Sequence, residues 1–489
     1  MDAAQAQIDT AGQNIANAAN PNYAVETVQL NPMDGGPTPL ATGVIGPGSF
    51  GAGVNVAGVT QNVPQYLVSN NRQALADSAY ANQYATQLQN AETLYQEPSS
   101  SSGLSTQMST FYNDLNVLAQ DPSNAGAKST VVGQGQSVAT AFNNLAAGLN
   151  QARGNVIAQI QGTVTEDNNT IAQVAKMNAT IQQQEIAGNT PNALLDQRTG
   201  LLNQLATDLG ATVTSVPLLN TAGGQVMSQI GQPVNTIQVA LPNGTLLVNG
   251  TNASTLGVST TGVPSITVTS PTGTTGAATF GANQGGNVGA LLTLVGSHGL
   301  LSGDGAGSYS GSWLNQLDHI ASQFASQLNG YQTAGYAPSP TTGTMTVQTG
   351  NPLFLAGASA TATITAANLT VNPTLVQNPN LVAAAQSTNA NDGSNAQAMA
   401  NLGSSASGAL SQYQLQIGAI GTQVADAASQ STTQQAVAAQ AQQSLESVAG
   451  VNVNQEVVNL SFAAQTYQAL AKTMGTMQSA VSSLLNAVQ

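Results

Sequence analysis

The sequence contains no cysteine, which excludes disulfide frameworks, thiol nucleophiles and cysteine-ligated metal sites. Histidine occurs only twice, at His298 and His319, and no His-Glu-x-x-His pattern is present. No Gly-x-Ser-x-Gly nucleophile turn occurs, and carboxylates are sparse. We therefore expect no catalytic residue, no cofactor-binding residue and no metal ligand, and we predict that the protein is not an enzyme.

Charged side chains are also scarce. They make up 5% of the 489 residues, whereas a typical soluble domain has about 25%. The chain has 6 Lys and Arg against 20 Asp and Glu, for a formal net charge of −14. Nucleic acids and anionic membranes both attract basic side chains, so neither partner is expected. We hypothesise that this balance reflects a low-pH habitat where carboxyl groups are protonated.

Long hydrophobic runs are missing as well. No stretch of about 18 apolar residues is present, so no membrane span is predicted. The N-terminus lacks the basic region and apolar segment of a cleavable secretory signal, which leaves export by a non-cleaving route open. The length predicts two to four structural units.

The last hundred residues carry the most regular pattern. From Leu410 to Val448, apolar and small residues alternate steps of three and four, which predicts a heptad helix in the core of an intrachain bundle. The pattern loses phase at Gly450, where a helix ends at little cost. A second seam, predicted to pack between subunits, then includes Val453, Val457, Leu460, Ala464, Tyr467, Ala471, Met474, Gln478, Val481, Leu485 and Val488.

The N-terminus offers a partner for part of this second seam. The same spacing recurs at Ala4, Ile8, Ala11, Ile15 and Ala18. This segment is less than half as long as the C-terminal seam. Either other subunits cover the rest of the seam or residues ahead of Met1 are missing, and we expect the N-terminal part to be truncated.

The chain between these ends divides by composition. Residues 64–210 are mostly helical in pattern, and "NTPNALLDQRTGLLNQLATDLG" shows both ends of one helix. Thr190 is predicted to cap it, Pro191 to take its first position and Gly210 to end it. Its predicted apolar stripe comprises Leu194, Leu201, Leu205 and Leu209.

Residues 211–380 are rich in Thr, Val, Gly and Asn, which predicts strands. One hairpin is expected to turn at Pro242-Asn243-Gly244, and another strand lies in "ATATITAANLTV". One helix, over residues 312–330, is predicted to interrupt the strands with an apolar face of Leu317, Ile320, Phe324 and Leu328.

These patterns predict a mainly α fold with an inserted β-rich domain, arranged as a discontinuous multi-domain rod. Residues 1–30 and 450–489 are expected to pair their heptad helices as an α-helical coiled coil. Residues 31–215 and 385–449 form a long helical bundle domain that includes an extended segment. Residues 216–384 form the β-rich inserted domain.

Both ends of the chain carry motifs of one known family. The segment "QNIANAANPNY" resembles the Asn-Ile-Ala-Asn signature and following turn of the rod, hook and hook-associated axial proteins of the bacterial flagellum. The C-terminal segment is similar to the last helix of that family at Gly-Val-Asn, Glu456, Asn459-Leu460 and Gln465 with Tyr467-Gln468-Ala469. Within the family, "NALLDQRTGLLNQLATDLGATV" resembles the helical domain of the hook-associated protein 1 group, which forms the hook–filament junction.

The resemblance implies a structural subunit of the hook–filament junction in the extracellular flagellum, exported through type III export without a cleaved signal peptide. It implies self-assembly into a ring, contacts with the hook protein and with the second hook–filament junction protein, and an export chaperone on the C-terminal helices. The implied assembly residues are Ile8, Ala11, Asn14, Ile15, Asn17, Tyr23, Val453, Val457, Leu460, Ala464, Tyr467, Ala471, Met474, Val481, Leu485 and Val488.

The turn after the N-terminal motif departs from the family pattern. Asn22 stands where the family has Gly before Tyr23, and Ala24, Val25 and Glu26 stand where a basic residue is usual. Asparagine tolerates the left-handed conformation better than other non-glycine residues, so we expect the turn to survive.

Several interpretations stay open. Another axial protein, of the hook or distal rod, would share the terminal motifs, and a secreted adhesin or surface-layer protein would explain the middle region. Asp196 and Arg198 lie two apart on a helix and do not face each other, so structural roles are predicted for both. Lys472, beside the terminal seam, is either solvated or part of an ion pair between subunits.

Overall fold

The computed structural model describes residues 1–33, 53–97, 103–280, 284–302, 311–357 and 362–488. Helices dominate this part of the chain, as the sequence predicts. They are α1 (Asp2–Ala16), α2 (Gln65–Glu92), α3 (Leu104–Gln120), α4 (Ala125–Ile186), α5 (Asn192–Leu209), α6 (Gly286–Val295), α7 (Trp313–Ala334), α8 (Pro373–Gln377), α9 (Ser394–Asn401), α10 (Ala409–Ala449) and α11 (Val453–Val488). None of these described helices is long and apolar enough to span a bilayer.

The strands are short and pair antiparallel. They are β1 (Glu26–Pro32), β2 (Val54–Gln61), β3 (Thr212–Pro217), β4 (Asn235–Ala240), β5 (Leu246–Asn249), β6 (Asn252–Ala253), β7 (Thr255–Ser259), β8 (Ser265–Thr269), β9 (Thr275–Ala278), β10 (Tyr336–Pro338), β11 (Met345–Val347), β12 (Phe354–Ala356) and β13 (Leu369–Val371). A four-stranded sheet has the order β3-β4-β5-β6, and a three-stranded sheet has the order β7-β8-β9. The pairs β1-β2, β10-β11 and β12-β13 form three two-stranded ribbons.

Helix α4 is the spine of the body, with 62 residues. It packs against α3, α5, α6 and α7 and also touches β7 and β13. The centre of this packing is a group of fully buried aromatic rings from three helices and one strand, Phe111, Phe142, Phe324 and Phe354. The ring centroids of Phe324 and Phe354 lie 5.1 Å apart, and those of Phe111 and Phe324 lie 5.6 Å apart. One contiguous core therefore joins the helices to the ribbon at residues 354–371.

Helix α10 packs along α2, as the first heptad seam predicts for an intrachain bundle. The α2 face is rich in buried alanines, which let the two helices approach closely, and α10 contributes Leu410, Tyr413, Ile420, Val424 and Ala427. The seam weakens towards its end, where Val448 is exposed. Gly450 ends the helix with extended backbone, so the predicted break between the two C-terminal helices is confirmed.

The predicted helix in the middle region is confirmed as α7, and its four predicted apolar residues are all buried. The prediction of a single helix there is wrong, because α6 and α8 also lie in this region. Its first residue, Trp313, is 1% exposed and donates its indole N–H to Gln423 Oε1 at 2.8 Å. The hairpin predicted at residues 242–244 joins β4 to β5, with Gly244 at a φ of 84°. In "ATATITAANLTV" the described strand is limited to Leu369–Val371; residues 358–361 lie outside the described part of the chain.

The predicted start of α5 is wrong. Thr190 does not cap the helix, because its hydroxyl donates instead to the carbonyl oxygen of Val59 at 2.9 Å, and α5 begins after Pro191. Of the predicted apolar stripe, Leu205 and Leu209 are fully buried, whereas Leu194 and Leu201 are only half-buried. Leu202, which was not predicted, is also buried. The end is as predicted: Gly210 has a φ of 64° and closes the helix in the left-handed conformation.

Candidate assembly interface at the joined chain ends

The two ends of the chain meet as α1 and α11, which pack together. Helix α1 turns Ala4, Ala11 and Asn14 inward, and α11 buries Glu456 and Ala463. The predicted pairing of the terminal helices is therefore confirmed. The buried face of α11 is unusual because one of its members is a carboxylate, and a buried carboxylate needs hydrogen-bond donors.

Asn14 supplies that donor. Its Nδ2 donates to Glu456 Oε2 at 3.1 Å and to the carbonyl oxygen of Glu26 at 3.0 Å. Its Oδ1 accepts from the Tyr23 hydroxyl at 2.8 Å and from the Glu26 amide at 3.0 Å. Asn14 is 1% exposed, so both ends of one buried carboxamide are satisfied. A single side chain thus joins α1, the following turn, the start of β1 and α11.

The groups around Asn14 are held in low-dielectric surroundings. Burial is the main cause that raises the pKa of the Tyr23 hydroxyl, and Glu26, Asp196 and Glu456 raise it further by charge repulsion. Burial also raises the pKa of Glu26, while a hydrogen bond with Asn192 acts in the opposite direction. Tyr23 therefore stays a neutral donor to Asn14 at every pH at which the fold is expected to exist.

The turn after α1 does not use a left-handed residue. Among the described residues other than glycine, only Gln96 has a positive φ, so the expectation of a left-handed conformation at Asn22 is wrong. Asn20 makes the turn instead: its Oδ1 accepts from the Asn22 amide at 3.1 Å and its carbonyl accepts from the Tyr23 amide at 3.1 Å. This side-chain-to-backbone turn is open to an ordinary L-residue at Asn22.

The turn is tied to the body by three contacts. Asn22 Oδ1 accepts from Asn203 Nδ2 of α5 at 3.0 Å. The amide of Val25 donates to the carbonyl oxygen of Ala449, the last residue of α10, at 2.9 Å. The ribbon β1-β2 leads back to α5, where Gln61 donates to Asp196 Oδ1 at 2.9 Å. The segment after α1 therefore fixes the end of α10 and the face of α5 together.

Asp196 and Arg198 both make contacts within the chain. Burial raises the pKa of Asp196 to about 6, and the hydrogen bonds from Gln61 and the Ala24 backbone oppose this rise. Arg198 donates to Asn178 Oδ1 of α4 at 3.0 Å, and Asn178 in turn donates to the carbonyl oxygen of Gly250 at 2.7 Å. These side chains link α5, α4 and the β4-β5 region rather than a shared reaction site.

The remaining assembly residues fall into two groups. Ile8, Ile15, Asn17, Leu460, Ala464 and Tyr467 are half-buried where α1 and α11 run together, and Ala11 and Tyr23 are buried there. Asn17 also donates to the carbonyl oxygen of Gln13 at 3.0 Å. The exposed group is Val453, Val457, Ala471, Met474, Val481 and Leu485. The side chain of Val488 lies outside the described ones.

The second half of α11 leaves much apolar surface open in this chain. Its exposed apolar residues are Leu470, Met474, Met477, Val481, Leu484 and Leu485, with exposed fractions from 39% to 70%. Lys472 is exposed among them. Within the described ranges, no group of three or more His, Cys, Asp or Glu side chains is arranged to hold a metal ion. The exposed side chains of this half of α11 are suited to packing against another apolar surface.

Sequence reasoning missed two residues that hold this interface. Glu456 was recognised only as a matching position, yet it is the buried partner of Asn14. Asn192 of α5 donates to the carbonyl oxygen of Val59 at 3.0 Å and so anchors β2. A polar residue at the centre of an apolar helix face is the signal that could have pointed to Glu456.

Comparison with known proteins decides the family. The family model described as "Flagellar hook-associated protein FlgK helical domain" matches residues 88–354, which is more than half of the chain. The chain belongs to the FlgK hook-associated protein family. FlgK proteins are structural components of the extracellular flagellum and not enzymes, so membership settles the choice between an axial protein and an adhesin or surface-layer protein.

Individual FlgK relatives agree. Hook-associated protein 1 of Bacillus subtilis is 27% identical over 337 residues, covering 67% of this chain and 64% of the relative. Hook-associated protein 1 of Escherichia coli is 27% identical over 258 residues, covering 52% of this chain and 43% of the relative. The chain thus spans less than two thirds of the length of either. The structure of the flagellar hook junction protein FlgK from Burkholderia pseudomallei matches with a TM-score of 0.58 and 16% identity, over 78% of this chain and 100% of that one, and shows the same fold.

Proposed function

We propose that this chain is a subunit of the junction between flagellar hook and filament, and that it assembles into a ring through α1 and α11. The single observation that carries the proposal is the open apolar surface on the second half of α11. A lone helix with such a surface is an aggregation hazard unless a partner covers it. In a ring, the same helix of the next copy supplies that cover.

The lengths of the two terminal helices support this reading. With a rise of 1.5 Å per residue, the 15 residues of α1 span ~22 Å and the 36 residues of α11 span ~54 Å. Helix α1 therefore reaches less than half of α11. The uncovered part begins near Gln468, after which every described side chain of α11 is exposed. Ordering of this part is coupled to the arrival of neighbours.

The proposed partners are those that the family resemblance implies. The hook protein and the second hook–filament junction protein would contact the ring on its two sides, and an export chaperone would cover the C-terminal helices before assembly. The paired terminal helices would line the inner wall of the tube, the long helical body would form the outer tube, and the region with the small sheets would face solvent. The predicted domain boundaries at residues 30, 215, 384 and 450 are part of this proposal.

Paired charge substitutions test the role of α11. We expect Met477→Glu with Leu484→Glu to leave the monomer folded by circular dichroism, because both side chains are exposed at 70% and 67%. In cells lacking their own FlgK, this variant should restore neither junction rings nor attached filaments. The matched control, Thr272→Glu with Thr341→Glu, adds the same charge to exposed turns and should restore both. Filaments formed by the α11 variant would overturn the proposal.

A further inference from the structure

A cavity of about 390 Å³ lies where the terminal turn meets the body. Its walls come from the turn at residues 21–24, from α2, from α5, and from the ends of α4 and α10. Two of the six basic residues of the chain, Arg72 and Arg198, line it together. Nothing in the proposed assembly role needs two arginines at this place.

Arg72 is the basic group that lacks a counter-charge. It is 8% exposed, and its Nε donates to Asn203 Oδ1 at 3.0 Å. In the part of the chain that the structure describes, no acceptor is recorded for its Nη atoms. Burial is the main cause that lowers its pKa, to about 10, and the other cause is repulsion from Arg198. No carboxylate offsets either effect.

The carboxylates that line the same cavity each interact with a group other than Arg72. Asp196 accepts a hydrogen bond from Gln61, and its negative charge helps to raise the pKa of Tyr23. Burial raises the pKa of Glu185, and the positive charge of Arg198 opposes this rise. Glu446 accepts from Gln442 at 2.7 Å on the surface of α10. The Nη atoms of Arg72 therefore face the open space of the cavity without a protein acceptor, and an anion in that space can accept from them.

A second unsatisfied group lines the cavity beside Arg72. Asn71 is 3% exposed, and its Oδ1 has no hydrogen-bond partner. Buried polar groups are almost always paired, so the orphaned carbonyl of Asn71 beside the open Nη atoms of Arg72 marks an incomplete polar cluster. An occupant with anionic oxygens satisfies Arg72, and one that also carries an O–H group can donate to Asn71.

We propose that this cavity is a binding site for a small oxyanion, with Arg72 as its main ligand, Arg198 as a longer-range positive charge, and inorganic phosphate as the best-fitting chemical class. Arginine is suited to this task because its planar fork of donors matches two oxygens of a phosphate. The cavity holds such an ion with room for water.

The bound ion would act on the joint between the terminal helices and the body. Arg72 donates to Asn203, and Asn203 donates to Asn22 of the turn. An anion that fixes the Arg72 guanidinium therefore fixes a chain of three side chains from α2 through α5 to the turn. The consequence is a stiffer attachment of α1 and α11.

Thermal unfolding with added phosphate tests the site. At constant ionic strength, replacing chloride by phosphate should raise the Tm of the full chain by about 2 °C in a saturable way, because a ligand that binds only the folded state stabilises it. Arg72→Gln should abolish the rise. Lys176→Gln, which removes an equal charge from an exposed position on α4, should keep it.

A second variant guards against loss of folding. Arg72→Lys keeps the charge but loses the planar pair of guanidinium donors, so it should bind phosphate about tenfold more weakly. Broadening of the phosphorus NMR signal of added phosphate measures this binding. Sulfate and acetate, tested in the same way, separate the phosphate class from other oxyanions. No saturable rise with phosphate, or an equal rise in Arg72→Gln, overturns the proposal.

Discussion

Asn14 and Glu456 lie 442 residues apart in the sequence and are joined by a hydrogen bond of 3.1 Å inside the interface of the two terminal helices. The bond joins the two ends of the chain, and all elements from β1 to α10 are inserted between its two partners. Because Asn14 also binds Tyr23 and the backbone of Glu26, the pairing of α1 with α11 and the path of the chain into β1 are specified by the same side chain.

Asn14→Ala should loosen the terminal helices. It would leave Glu456 Oε2, the Tyr23 hydroxyl and the backbone groups of Glu26 without the bonds that Asn14 makes, at a cost of about 2–4 kcal/mol. Glu456 Oε1 would still accept from Asn459 at 3.3 Å. We expect faster amide exchange in residues 456–467 and a lower midpoint for the loss of this unit in urea. Asn17→Ala, at the residue that follows α1, removes only a side-chain bond to the last turn of that helix and should change the exchange little. Equal effects of the two variants would contradict the role of Asn14.

The two C-terminal helices should differ in amide exchange in the monomer. Helix α10 is packed on α2 and its central residues should be protected, whereas residues 468–487 of α11 have no buried side chain and should exchange fast. Exchange measured by mass spectrometry on the monomer and on assembled rings gives the comparison. Equal protection of both helices in the monomer would refute folding coupled to assembly.

Gly286→Ala should be strongly destabilising. Gly286 begins α6 with a φ of 55°, and an added Cβ would overlap the carbonyl oxygen of Thr207 at the end of α5. Backbone would have to move, so we expect a loss of roughly 3 kcal/mol or more. Gly244→Ala also sits at a positive φ, but nothing lies within 4 Å of its added Cβ, and roughly 1 kcal/mol is expected. Similar losses in urea denaturation would show that the contact with α5 is unimportant.

Asp167 should make the protein less stable as the pH rises. It is fully buried in α4, and neither carboxyl oxygen has a partner. Burial, then the charges of Asp208 and Glu166, raises its pKa to about 8. The folded state therefore holds this proton more tightly than the unfolded state, where Asp titrates at about 3.9. Its contribution is complete below pH ~4 and is lost as the pH rises towards ~8.

Asp167→Asn removes this titration and should flatten the fall in the free energy of unfolding between pH 4 and pH 8. Asp426→Asn makes the same charge change at an exposed position of α10 and should leave the slope as it is. Urea denaturation across this pH range is the measurement. An unchanged slope in Asp167→Asn would disprove the assignment to Asp167.

Periodicity predicted the long helices and the pairing of the two terminal helices, because burial of an apolar stripe dominates both. It missed α6, because a short, almost wholly buried apolar run is equally typical of a strand. The hydrogen bonds of polar side chains could not be predicted from periodicity. Thr190 has the right residue type for a cap, but a distant carbonyl on β2 competes for its hydroxyl. The left-handed conformation was expected at Asn22, but Asn20 makes the turn through its side chain.

The phase of α11 shows the same limit. Spacing in the sequence identified its apolar residues but could not choose the face that meets α1, since that face is centred on Glu456 and Ala463. The choice depends on Asn14, which is far away in the sequence. Motif resemblance pointed to Asn14 and Tyr23, but only the folded chain connects them.

Helix α4 is one continuous column of backbone hydrogen bonds, ~93 Å long for its 62 residues. Because it contacts α3, α5, α6, α7 and several strands along its length, it connects these elements as one rigid helix. A torque applied where α5 meets the terminal turn would be distributed along α4 and would not concentrate in any single loop. In a rotating fibre, such a subunit would twist as one unit and would not bend repeatedly at one connection.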